Sequence, residues 1–195
     1  MDILVSACLL GTPCRYDGAS RPCGELARLE VLGHRLIPVC PEVMGGLPTP
    51  RPPAELQRDG RVVDRAGKDA TEAYRLGAEE VLELARAHRC TLAVLKERSP
   101  SCGRGQIYDG SFTGRLTEGS GVTARLLEEH GLIITEWTQI QMKNGIRKNG
   151  NLRCTIVPMH EVLEQCCQRQ MTELERQRVQ KKLSVQSTET ICPPL

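Results

Sequence analysis

Three apolar stretches of this chain each run toward a cysteine. Ile3 to Ala7 is followed by Cys8 and Arg35 to Val39 by Cys40. Thr91 to Leu95 runs into the polar turn Lys96, Glu97, Arg98, Ser99, Pro100, Ser101 and then Cys102, Gly103. Short apolar runs bounded by Gly and Pro read as buried strands. In an open α/β sheet, chemistry gathers outside the carboxyl ends of the strands. Three such strands lying parallel would therefore bring three thiols to one edge.

The segments between them fit that arrangement. From Cys23 to Leu32 the apolar positions Leu26, Leu29, Val31 and Leu32 suit a helix closed by Gly33. Asp69 to His88 places Ala73, Leu76, Gly77, Val81, Leu84 and Ala85 at helical spacing. Val122 to Glu129 predicts a short helix ended by His130 and Gly131, and Leu132 to Thr135 a fourth strand. Strands alternating with helices predict an α/β fold with a mostly parallel sheet, right-handed crossovers and cover on both faces. Val43 to Ala54, with Pro48, Pro50, Pro52 and Pro53, predicts a stiff connector. Leu56 to Val63 predicts a hairpin closed by a two-residue Asp59-Gly60 turn, and Gly103 to Gly121 a Gly-rich loop. Residues 137–195 change character, becoming rich in Gln, Glu and Arg. They read as a C-terminal extension, partly helical or disordered.

Ten cysteines in 195 residues is many. A secreted disulfide scaffold is normally shorter and headed by an export signal, whereas Met1 to Leu10 lacks a basic start and reads as a first strand. A reduced, cytoplasmic protein that uses some thiols for metal or redox chemistry is the better expectation. The net charge of +2 implies no strong nucleic-acid or membrane field. One Trp, one Phe and three Tyr argue against a base-stacking surface, and no run approaches the roughly 20 apolar residues of a membrane span.

A lone cysteine after a strand is commonly a small buried hydrophobe; three repeats of the pattern weaken that explanation. Structural zinc favours paired ligands close in sequence, which Cys8, Cys40 and Cys102 do not offer. An iron–sulfur cluster supplies its own bridging sulfides and needs one thiolate per iron, so three separated cysteines suit it and leave one iron open. Such an iron is a Lewis acid that prefers sulfur donors. Glu42, two residues past Cys40, is a candidate general acid or base. Ser99 and Ser101 are candidates to relay a proton, and Arg51 to hold an anionic or carbonyl group of a substrate. A thiol redox pair of Cys8 with Cys14 or Cys40 is an alternative, and so is a small-ligand or nucleic-acid binding module docked through the extension. Cys23 and Cys90 read as structural, Cys14 has no assigned role, and Cys154, Cys166, Cys167 and Cys192 read as incidental. His34, His88 and His130 sit where caps are expected.

Several stretches carry a family likeness. SACLLG at Ser6 to Gly11, PVCPE at Pro38 to Glu42, GGLPTPRPPAE at Gly45 to Glu55, DATEAYRLGA at Asp69 to Ala78, and KERSPSCG with IYDGSF through Phe112 resemble the 2-thiouracil desulfurase family, in the family's order. The resemblance covers about Met1 to Thr135. It implies a Rossmann-like, three-layer iron–sulfur desulfurase domain over residues 1–136. It also implies a [4Fe-4S] cluster held by Cys8, Cys40 and Cys102, with one open iron that takes the sulfur of a thiolated pyrimidine such as 2-thiouracil. Uracil and hydrogen sulfide would be released without net redox change. The family's catalytic carboxylate falls on Glu42 and its catalytic serine on the SPSC motif, with Ser99 favoured over Ser101.

Overall fold

The computed structural model describes residues 1–136. The expected extension over 137–195, with its four cysteines, lies outside the described residues. Four strands form the main sheet: β1 (Asp2–Ser6), β2 (Arg35–Val39), β5 (Leu92–Leu95) and β8 (Ile133–Glu136), in the order β2-β1-β5-β8. All three pairings are parallel, with Leu4 opposite Ile37 and Ala93, and Ala93 opposite Ile134. The expected alternation holds. Helix α1 (Ala27–Val31), entered through a 3₁₀ turn at Gly24–Leu26, connects β1 to β2; α3 (Thr71–Ala87) leads into β5 and α4 (Val122–Glu129) into β8.

Burial follows from the strand period. Leu4, Ile37, Val39, Ala93, Leu95 and Ile134 form one core with Val81, Leu82 and Ala85 of α3 and Ala124 and Leu127 of α4. Each Val, Leu or Ile among them contributes about 1.5–3 kcal/mol when fully removed from water. Ile3, Val5, Leu92 and Val94 alternate to the opposite face and are also fully buried. Strands buried on both faces read as continuous apolar runs, which is why they were legible as strands. Gly33 ends α1 in the left-handed region, with its N–H on Glu30 and that of His34 on Leu29. His88 and His130 cap α3 and α4, and the His130 Nδ1 lies 2.8 Å from the Leu126 carbonyl. Arg35 and His88 both contact the Asp2 carboxylate beside the amino-terminal end of β1.

Three local expectations are corrected. The stiff connector is shorter than Val43 to Ala54, because Pro41–Met44 forms a one-turn helix, α2, with proline at its first position, where no intrahelical N–H is needed. The hairpin pairs β3 (Ala54–Leu56) with β4 (Val62–Asp64), yet its turn is not the two-residue type. Gly60 N–H donates to Gln57 O while Gln57 N–H donates to Arg61 O, so Arg58, Asp59 and Gly60 form a three-residue loop with Gly60 at φ 88°. The Gly-rich stretch is not all loop, since Gln106–Tyr108 (β6) and Leu116–Glu118 (β7) pair antiparallel.

Two chain crossings position the site. Helix α2 lies against α3 at Gly45 and Gly77, where an added Cβ would sit 1.9 Å from Ala73 O and 1.8 Å from Pro41 O, respectively. The backbones meet with no room for a side chain on either. The turn after β5 meets the start of α4 in a different way. The N–H groups of Val122, Thr123 and Ala124, which have no partner inside their own helix, donate to the carbonyls of Pro100 and Ser101 at 2.9–3.1 Å.

Candidate active site

Cys8 sits in a 3₁₀ turn (Ala7–Leu10) that begins as soon as β1 ends, Cys40 is the N-cap of α2 where β2 ends, and Cys102 follows the turn after β5. Because β1, β2 and β5 are parallel neighbours, all three leave from the same edge of the sheet. All are free thiols: Cys8 and Cys102 are buried and Cys40 partly so. The Val43 N–H, in the first turn of α2, points at the Cys40 sulfur. Burial pushes the Cys102 thiol up to about 12, although the hydroxyls of Ser6 and Ser101 both donate to its sulfur and favour the thiolate. Hydrogen bonding with Cys14 and burial raise the Cys40 thiol further.

The two serines part company. Ser101 is fully buried and its Oγ lies 2.8 Å from Thr123 Oγ1 on α4. With its hydrogen on the Cys102 sulfur, Ser101 accepts from Thr123. Ser99 Oγ accepts the N–H groups of Ser101 and Cys102 at 3.1 and 3.2 Å, which leaves its own hydrogen for Glu42 Oε1 at 3.4 Å. That separation is longer than a mature O–H···O bond, as is common before substrate arrives. Ser101→Ala is therefore expected to strand the Thr123 hydroxyl and lower stability by about 1–3 kcal/mol. Urea unfolding of the cluster-free protein would measure this, and adding Thr123→Val should recover much of the loss. A single variant as stable as its parent would contradict the pairing.

Glu42 projects from α2 into a nest of partners. Arg51 Nε donates to its Oε2 at 2.8 Å, with Nη2 2.7 Å from the same oxygen as an ion pair, and both side chains are largely buried. The other donors of Arg51 go to Pro48 O, Thr49 Oγ1 and Cys14 O. Each of the three guanidinium nitrogens thus donates to the protein. Tyr74, buried on α3, brings its hydroxyl against the same carboxylate, and burial followed by the Glu42 charge raises its ionisation well above the usual tyrosine range.

The structure thus brings Cys8, Cys40, Cys102, Glu42 and Ser99 to one edge, turns Ser101 into the core behind Cys102, and ties Arg51 to Glu42. Ser6 and Tyr74 were not singled out in the sequence, and Cys14 entered only as a possible redox partner of Cys8. Ser6 sits inside the recognisable SACLLG stretch, and Tyr74 falls three residues before Gly77 on a helical face that reads as plain core.

Whether these residues suit an iron–sulfur cluster turns on donor type and spread. Among the described residues, no three His, Cys, Asp or Glu side chains close on a point fit for a single metal ion. A four-iron cluster asks for something wider, one thiolate per iron around a body that brings its own sulfides. Thiols from three separate strand ends, with hydroxyl and amide donors aimed at two of the sulfurs, meet that demand.

Comparison with known proteins agrees. The profile of the 2-thiouracil desulfurase family matches residues 3–138. The uncharacterized protein YbbK of Bacillus subtilis is 44% identical over 138 residues, a span of 66% of this chain and 91% of that protein. A solved structure, that of the [4Fe-4S]-dependent thiouracil desulfidase TudS, is similar with a TM-score of 0.67 and 48% identity, covering 72% of this chain and 93% of that one.

Proposed function

The chain belongs to the 2-thiouracil desulfurase family, and from that premise we propose that it removes sulfur from a thiolated pyrimidine such as 2-thiouracil with the aid of a [4Fe-4S] cluster. The observation that carries this reading is the meeting of Cys8, Cys40 and Cys102 at one sheet edge with the Glu42–Ser99 pair beside them. Cys8, Cys40 and Cys102 would hold the cluster within a Rossmann-like, three-layer domain spanning residues 1–136. When bound, the cluster would supply an iron without a fourth strand-end cysteine, a Lewis acid with a preference for sulfur over oxygen.

The chain's own residues account for the proton transfers. Glu42, held by Arg51 with one oxygen facing Ser99, takes a proton from the water that attacks the carbon bearing the sulfur. Ser99 passes a proton between Glu42 and the reacting groups. Water supplies the oxygen, sulfur leaves as hydrogen sulfide, and no electrons are exchanged, so the reaction is a hydrolysis. Arg51, with its donors engaged, serves this reading by fixing Glu42 and not by gripping the substrate. Ser101 supports Cys102. A cytoplasmic setting follows from the number of free thiols. Among the described residues no helix is long and apolar enough to cross a membrane, and the substrate proposed is a small thiopyrimidine.

The test is to load the full chain with iron and sulfide in the absence of air, offer 2-thiouracil, and measure uracil and sulfide. Visible absorption and turnover are expected together, and both should vanish in Cys102→Ala. Cluster-loaded protein that yields no more uracil than this variant would reject the function. A colourless preparation with a reducible disulfide would favour the thiol redox reading instead.

A further inference from the structure

Cys8, Cys40, Cys102, Glu42 and Ser99 deal with sulfur and protons; none of them offers a flat surface to a pyrimidine ring. Arg51 does not grip one either, since its guanidinium donates to Glu42 and to backbone oxygens. Ligand sites are lined mainly by apolar and aromatic side chains with few polar groups. The partner of the ring should therefore be an uncovered apolar group at the same sheet edge. Among the described residues seven large apolar side chains are exposed, and four of them, Leu10, Tyr16, Val43 and Met44, lie in the segments that follow Cys8 and Cys40.

Tyr16 is the aromatic member of that group. The chain holds only one Trp, one Phe and three Tyr; Tyr74 is buried, whereas Tyr16 is 43% exposed. The loop that carries it begins and ends on Cys8, whose carbonyl accepts Gly11 N–H at 3.4 Å and Arg21 N–H at 2.8 Å. Its middle is pinned to Arg51: the Arg51 N–H donates to Tyr16 O at 2.8 Å and Nη2 to Cys14 O at 3.0 Å. The ring is steadied as well. The Arg15 guanidinium lies over it, 5.8 Å from its centroid, and is clamped in turn by Asp17, with Nε and Nη2 at 3.2 and 2.9 Å from the two carboxylate oxygens. An uncovered aromatic ring is thus held on a loop tied at its base to Cys8 and at its middle to the arginine that fixes Glu42.

We propose that Tyr16 stacks on the pyrimidine ring of the substrate and is a substrate-binding residue of this site. This rests on the desulfurase reading. Stacking asks only for a π-face, so Tyr16 favours planar heteroaromatic thiones whichever ring carbon bears the sulfur.

The experiment compares the full chain, loaded with iron and sulfide in the absence of air, with Tyr16→Phe and Tyr16→Leu. The readouts are KM and kcat for 2-thiouracil, visible absorption, and affinity for uracil by titration calorimetry. In Tyr16→Leu, KM should rise about 10-fold and uracil affinity fall about as much, with kcat within about two-fold of the parent. Tyr16→Phe keeps the ring and should match the parent in every readout. A KM unchanged in Tyr16→Leu, or raised equally in Tyr16→Phe, would overturn the proposal while leaving the desulfurase reading intact. Loss of visible absorption in Tyr16→Leu would make Tyr16 a support of the loop and overturn the proposal too. A parent that forms no uracil would overturn both.

Discussion

Glu42→Gln is expected to lower turnover of a thiolated pyrimidine by about 10²–10⁴-fold, the usual contribution of a positioned general acid or base, while leaving the cluster in place. Glutamine preserves the volume and can still accept from Arg51, so the geometry around Cys40 should survive. The negative charge is what disappears. Arg51 is then left largely buried without its partner charge, which should cost about 3–5 kcal/mol and show as a lower unfolding midpoint. The two effects separate in one preparation: visible absorption reports the cluster, uracil formation reports Glu42. A variant that is fully loaded and turns over within a few-fold of the parent would remove Glu42 from the chemistry. Arg51→Lys probes the same pair from the other side. A lysine keeps the charge but not the two-pronged contact, so turnover should fall less than in Glu42→Gln.

The second large effect is expected at Gly77. In an open helix interior, Gly→Ala stabilises by about 1 kcal/mol through helix propensity. Here the new methyl would fall 1.8 Å from Pro41 O, so α2 must be driven off α3. We expect a net loss of about 3 kcal/mol, with Gly45→Ala behaving alike because its Cβ meets Ala73 O from the opposite side. Since α2 carries Glu42 and follows Cys40, both variants should also lose turnover and cluster retention. Equilibrium urea unfolding gives the sign directly. A Gly77→Ala protein more stable than its parent would show that the crossing is looser than the structure has it.

Much of this was readable because β1 and β5, buried on both faces, announce themselves as unbroken apolar runs, and because these two and the half-exposed β2 all lead to cysteines. Gly33, the α3 periodicity and the position of Glu42 after Cys40 were equally visible, since each is a local signal. What escaped is non-local. Gly45 and Gly77 are far apart in sequence, and nothing in either neighbourhood says that their backbones touch. Ser99 and Ser101 flank one proline, and only the family likeness favoured Ser99; the packing of α4 turns Ser101 toward Thr123 and leaves Ser99 facing Glu42. Arg51 looked like a free cation on a stiff loop, yet folding brings it a carboxylate and three further oxygen acceptors. Cys14 was paired with Cys8 as a redox alternative, but nothing in its loop says that its carbonyl accepts from Arg51. The β6–β7 hairpin hid among turn-forming residues because its strands are only three residues long.

That hairpin is an excursion closed at its base. Gly121 N–H donates to Gly103 O at 2.8 Å and Gly119 N–H to Gly105 O at 3.1 Å, so the chain departs after Cys102 and returns to the same spot before α4 begins. The turn after β5 and the helix that supports it are also joined directly to each other, at 2.9–3.1 Å. Within the excursion Ile107 bridges to Arg98 of the turn after β5, and Phe112 N–H donates to Glu55 Oε2 and Gln57 Nε2 to Gly110 O, so only the exposed tip at Thr113 and Gly114 can change without touching that turn or the β3–β4 hairpin. For a protein engineer, this is the segment in which to diversify first.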